Sequence, residues 1–143
     1  MRALGLDLGG RRIGVAISDS DGRVATPIAT LERARGKGRT TDHRAIAGLV
    51  AEWEAEIVAV GLPLSLDGTV GPAAEGVLAE IAELAQVLAV PIETVDERFT
   101  TVTADQQLRA SGVKGRDRSK VIDQMAAAVL LQAWLDRRES TPC

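Results

Sequence analysis

Aromatic residues are almost missing from this chain. Trp53, Phe99 and Trp134 are the only three among 143 residues, and there is no tyrosine. That excludes an aromatic platform of the kind on which single-strand binders stack bases, and leaves the core to Ala, Val, Leu and Ile. Cysteine occurs once, at position 143, so no internal disulfide and no cysteine-built zinc site is expected. The one histidine, His43, has no H-E-x-x-H context and no Ser or Asp at a recognisable triad spacing, which argues against a zinc protease or serine hydrolase. It reads as a surface residue. A Walker A pattern is missing, and Gly5, Gly9, Gly10 and Gly14 do not make a G-x-G-x-x-G. No apolar run approaches a membrane span and no signal-peptide pattern opens the chain. A cytoplasmic protein without a membrane partner is the expectation.

Basic residues are missing from the middle of the chain. Residues 45–97 hold ten acids and no Lys or Arg, although the net charge is only −3. The positive charge gathers at the two ends. One dense stretch is Arg33, Arg35, Lys37, Arg39 and Arg44; the other is Arg109, Lys114, Arg116, Arg118 and Lys120. Either one alone reads as solvated loop charge. Two of them, both rich in Gly or Ser/Thr, read as mobile arms that grip phosphates.

What is present suits one α/β domain over residues 1–137, with a disordered tail at 138–143. Leu4–Val15 anchors the reading. Its apolar run is interrupted by Asp7 and then by Gly9-Gly10, and Ile13, Val15 and Ile17 resume with period two. A carboxylate on a central strand is costly unless something pairs with it. Two readings stay open here: a ligand-facing acid on a rigid strand, or a turn acid at a hairpin mouth. Strands are expected at 2–9, 12–18 and 23–31, with Pro27 marking an edge. A helix follows at 42–55, capped by Thr41 or Asp42. A central parallel strand is expected at 57–61, a site-lining loop or plain turn at 61–72 and a helix at 72–88. The last elements are a strand at 90–95, a helix at 100–110, a basic loop at 111–119 and an apolar helix at 119–137.

Three carboxylates thus fall in otherwise apolar elements: Asp7, Glu97 and Asp123. Converging in a low-dielectric setting, they need protons or a cation to coexist. All-oxygen ligands without His or Cys suit Mg²⁺ or Mn²⁺, and such ions support phosphodiester cleavage. Lys120 lies one turn before Asp123, placed to hold a phosphate or to pair with that acid.

At these residues the sequence resembles the YqgF, or RuvX, family of the ribonuclease H-like superfamily. Carrying the resemblance are Asp7, Gly9, Arg12 and Gly14 with Ser18-Asp19, then Val60-Gly61-Leu62-Pro63 with Asp67-Gly68. Val95-Asp96-Glu97-Arg98 with Thr100-Thr101 follows, and then Lys120–Asp123 with Ala126-Ala127. The resemblance implies a five-stranded mixed sheet of order 3-2-1-4-5 flanked by helices. It implies Asp7, Glu97 and Asp123 as metal-binding catalytic acids, with Asp96 ranked behind Glu97, and Arg12, Arg98 and Lys120 as phosphate contacts. The implied work is maturation of the 5′ end of pre-16S rRNA, with ribosomal particles as partners, by cleavage that leaves a 5′-phosphate. Alternatives are resolution of branched DNA (Holliday junctions) and a non-catalytic ribosome or transcription accessory factor; monomer and homodimer both remain open. A third class, the actin-like ATPases and sugar kinases, is prompted by Leu4–Gly10, but one copy of the fold cannot form their cleft.

Overall fold

Successive residues of a strand face opposite ways, and the first strand uses this to sort its side chains by size. In β1 (Ala3–Leu8), Leu4, Leu6 and Leu8 face one side of the sheet, while Ala3, Gly5 and Asp7 face the other. The computed structural model describes residues 1–34, 39–98 and 115–140. It pairs β1 antiparallel with β2 (Arg12–Ser18), and β2 antiparallel with β3 (Ala25–Glu32). β1 is parallel to β4 (Ile57–Leu62), and β4 is parallel to β5 (Ile92–Asp96). The order is β3-β2-β1-β4-β5, as expected. β4 is all but fully buried, as its unbroken apolar run requires. Pro27 sits on the edge strand, where a shift of register against Val15 and Ala16 accommodates it.

The bulky face carries α1 (Thr40–Glu52) and α2 (Pro72–Ala85). Ile46 and Val50 of α1 and Val77 and Leu84 of α2 join Leu4, Leu6, Ile13, Val15, Val58 and Val60 in one core. The opposite face carries only α3 (Gly115–Ser140) among the described residues. There Ala127, Leu130, Leu131 and Trp134 lie on Ala3, Ala16, Ala59 and Val95.

Several expectations need correction. α1 begins at Thr40 behind Arg39, and neither Thr41 nor Asp42 caps it; no side chain makes a cap bond there. Asp42 is instead buried, its Oδ1 accepting the Ala34 amide at 2.9 Å. His43 is no surface residue but is buried against Glu80. α1 ends in a reversal with Glu54 at φ 54, where the Ala55 amide reaches back to the Val50 carbonyl. α3 starts four residues earlier than expected, so Arg116, Arg118 and Lys120 belong to its opening turns rather than to a loop, and it continues past 137 to Ser140. The expected helix at 100–110 with Arg109, and Lys114 of the expected basic loop, lie outside the described residues.

Candidate active site

Asp7 is bracketed by glycines. Across to β2 its partner is Gly14. Across to β4, one step beyond the last pair, Leu6 with Val60, comes Gly61. Side chains directly opposite on paired strands share a face, so Asp7 stands on the α3 face with bare backbone on either side. Both gaps are filled by the residues that bear the other two acids, one through its backbone and one through its carboxyl. A methyl on Gly14 would sit 1.8 Å from the Asp123 carbonyl oxygen, so α3 rests on the strand at the residue that bears the third acid. A methyl on Gly61 would sit 2.2 Å from Glu97 Oε2, so the Glu97 carboxyl lies against that glycine. Gly5, whose methyl would sit 2.7 Å from the Leu131 Cβ, continues the close approach along the helix.

The electrostatics follow this placement. Burial, and then the charge of Asp123, push the Asp7 carboxyl up to about 6. Burial pushes Glu97 up to about 7, with the charges of Asp7 and Asp96 adding to it. Burial also raises Asp123, against the pull of Arg12. Asp7 is thus the middle of a row, with Asp123 on one side and Glu97 on the other. Among the described residues, no three His, Cys, Asp or Glu side chains gather closely enough to hold one ion together. The three acids expected to share a single pocket are brought to one face and coupled through Asp7, but they do not close on one point. The donor set is nevertheless all oxygen, and its raised carboxyls are what a cation relieves.

The expected phosphate contacts are each engaged. Arg12 Nη1 stands 3.8 Å from Asp123 Oδ2, both side chains part-exposed. Arg98 grips Asp96, with Nε at 3.0 and 2.8 Å from its two oxygens and Nη2 at 2.6 Å from one. These bonds hold the Asp96 carboxyl below its usual range. Asp96 is committed to this pair while Glu97 lies on Gly61 beside Asp7, as alternation along the strand requires. Lys120 lies 3.7 Å from Glu32 of β3, and its carbonyl accepts the Thr30 hydroxyl at 2.6 Å. The loop after β4 closes as a turn: the Gly68 amide donates to the Ser65 carbonyl, and Asp67 accepts from the Thr69 amide and hydroxyl. Arg98 Nη1 reaches the Leu66 carbonyl at 3.3 Å, tying this turn to the end of β5. Of the first basic stretch, Arg35 and Lys37 lie outside the described residues. Arg33 and Arg39 are not the phosphate-gripping arm expected: they fold onto acids of α1 and α2.

The packing role of the glycines at 5, 14 and 61 is what sequence reasoning missed. The signal was available: each falls on the alternation that leads away from the bulky residues of its own strand.

A family model described as "RuvX: Holliday junction resolvase" matches residues 1–137. The chain belongs to the RuvX family. Among its RuvX relatives, one from Mycobacterium leprae is 47% identical over 143 residues, covering 99% of this chain and 76% of the relative. One from Streptomyces avermitilis is 50% identical over 136 residues, covering 94% and 85%. Both carry the name "Putative pre-16S rRNA nuclease". Among solved structures, this RuvX chain is similar to Thermus thermophilus RuvC in complex with a Holliday junction substrate. That match has a TM-score of 0.61 at 16% identity and covers 99% of this chain and 98% of the other. The fowlpox virus Holliday junction resolvase gives 0.53 at 12% identity, covering 96% and 99%. At such identities the likeness shows the fold, which is ribonuclease H-like.

Proposed function

We propose that this RuvX chain is a Mg²⁺- or Mn²⁺-dependent endonuclease that matures the 5′ end of pre-16S rRNA in the cytoplasm. The observation that carries the reading is Asp7 set between Gly14 and Gly61, with Asp123 and Glu97 brought against those two glycines. The names borne by relatives that share about half their residues with this chain supply the substrate. Asp7 would be the shared ligand, with Glu97 on one side and Asp123 on the other. A divalent ion there would supply activated water and charge relief at the departing oxygen. Arg12, 3.8 Å from Asp123, sets a guanidinium at one end of the row, suited to a phosphate of the strand being cut. Lys120 and Arg98 lie at the rims, one on the β3 side and one at the end of β5.

The description of the family favours branched DNA as the second substrate. A side-by-side assay decides. Purified protein is given a pre-16S rRNA fragment and a four-way DNA junction, with Mn²⁺ and with EDTA. The expected outcome is metal-dependent cutting of the RNA that leaves a 5′-phosphate. Cutting of the junction alone would transfer the assignment to branched DNA. Binding of RNA without turnover would leave a non-catalytic accessory factor.

A further inference from the structure

On the sheet face turned away from the Asp7 carboxyl, the turn joining β1 to β2 is held by a buried ionic cluster. Arg33 touches that turn twice. Its amide donates to the Arg11 carbonyl at 2.9 Å, and its Nε donates to the Gly9 carbonyl at 3.0 Å. The rest of its guanidinium is forked onto Glu80 of α2, at 2.6 and 2.7 Å. Glu80 is 4% exposed and also bonds His43 Nε2 of α1 at 2.8 Å. Asp42 of α1 adds a contact to Arg33 at 3.4 Å and takes the next amide of the chain, that of Ala34.

Such a cluster is a poor device for stability. Taking these charges out of water costs about as much as their attraction returns, and a well-packed apolar set would serve as well. What the ionic set supplies is direction. A planar fork fixed by a buried carboxylate can aim its Nε–H at one oxygen only. That oxygen belongs to Gly9, whose own amide bonds the Asp7 carbonyl at 3.1 Å and the Arg12 carbonyl at 3.0 Å.

We propose that Arg33, seated by Glu80, is a positioning residue that fixes the Gly9–Arg11 turn and thereby sets Asp7 and Arg12 relative to each other. This rests on the nuclease reading of Asp7. The physical chain is continuous: α2 holds Glu80, Glu80 orients Arg33, Arg33 holds the turn, and the turn carries one site residue at each end. Burial alone would raise the Glu80 carboxyl, but the bonds from Arg33 and His43 outweigh it and hold it below its ordinary value, so the fork stays charged on both sides.

The test is Arg33→Lys, which keeps the charge facing Glu80 but cannot fork onto Glu80 and reach Gly9 together. The expected protein melts close to wild type and binds the RNA fragment with Kd within twofold. Its single-turnover cleavage in Mn²⁺ falls tenfold or more, with KM unchanged. Hydrogen exchange of the Gly9 amide, read by NMR in the metal-free protein, speeds up at least tenfold. Should Arg33→Lys fail to fold, Glu80→Gln, which keeps the shape and drops the charge, is expected to give the same pattern. Wild-type cleavage with unchanged Gly9 exchange would overturn the proposal. So would weakened RNA binding with full cleavage at saturation, which would mark Arg33 as a phosphate contact. If wild-type protein cuts nothing, the nuclease reading fails alone, and Gly9 exchange still decides whether Arg33 holds the turn.

Discussion

Replacing Asp7 by Asn is expected to stabilise the metal-free protein at alkaline pH while ending its cleavage. The carboxyl of Asp7 titrates near 3.8 when unperturbed and is pushed up to about 6 in the fold. Between those values the folded state holds a proton that the unfolded state has released, so stability falls as pH rises through this window. That rise, at about 1.36 kcal/mol for each tenfold change in acidity, is worth about 3 kcal/mol. That penalty is fully present above about pH 6 and absent below about pH 4. Glu97, raised from 4.5 to about 7, adds a smaller penalty of the same sign, because solvent screens its more exposed carboxyl. Asn has the shape without the charge. Its melting temperature in EDTA should exceed wild type by on the order of 10 °C at pH 8, and the gain should vanish near pH 4. Mn²⁺ should raise the wild-type melting temperature and close the gap, because an ion that binds only the folded state stabilises it by mass action. Thermal melts at both pH values, with EDTA and with Mn²⁺, supply the measurement. A variant less stable than wild type at pH 8 would refute the reasoning, since it would mean the Asp7 charge is held by a favourable partner rather than repelled.

Two further outcomes follow from the same geometry. Gly14→Ala must displace α3 at Asp123 and should cost about 3 kcal/mol with loss of cleavage, whereas Gly10→Ala, whose methyl would meet nothing within 4 Å, should stay within about 0.5 kcal/mol of wild type; urea titrations of the pair check this. Arg12→Gln should weaken RNA binding and reduce the slope of log K against log salt by about one, while an unchanged slope would confine Arg12 to its pair with Asp123.

Most of the sheet was legible because strands here carry strong local marks. The unbroken apolar run of Ile57–Val60, β-branched at all but Ala59, marked a covered central strand, and Pro27 marked an edge. The ends of the helices were not legible in the same way. Arg39 is a weak N-cap residue by propensity, yet α1 starts behind it because Arg39 pairs with Glu83 and Asp42 is drawn inward by the Ala34 amide. His43 failed as a surface residue for a related reason. Nothing in the neighbouring sequence announces that Glu80, nearly forty residues later, will be buried beside it. Arg33 misled likewise: two dense basic stretches read as arms that grip phosphates, and only the fold brings an interior carboxylate within reach of the first residue of one of them.

The candidate site was legible as a set of residues but not as an arrangement, and the difference lies in the glycines. An acid in or beside an apolar element announces itself, so Asp7, Glu97 and Asp123 could be picked from the chain; how near they come depends on what separates the strands from α3. Side chains of ordinary size at 5, 14 and 61 would hold that helix off the sheet by the width of a methyl group or more, and Asp123 with it. The bulky face can tolerate changes of volume shared among many leucines and valines, because no functional distance is set there. The small-residue face cannot, because the spacing of Asp123 and Glu97 from Asp7 is set by backbone touching side chain or backbone, with nothing compressible between. The division of labour between the two faces of β1 is therefore what makes a row of repelling carboxylates possible: one face supplies the stability that the other expends.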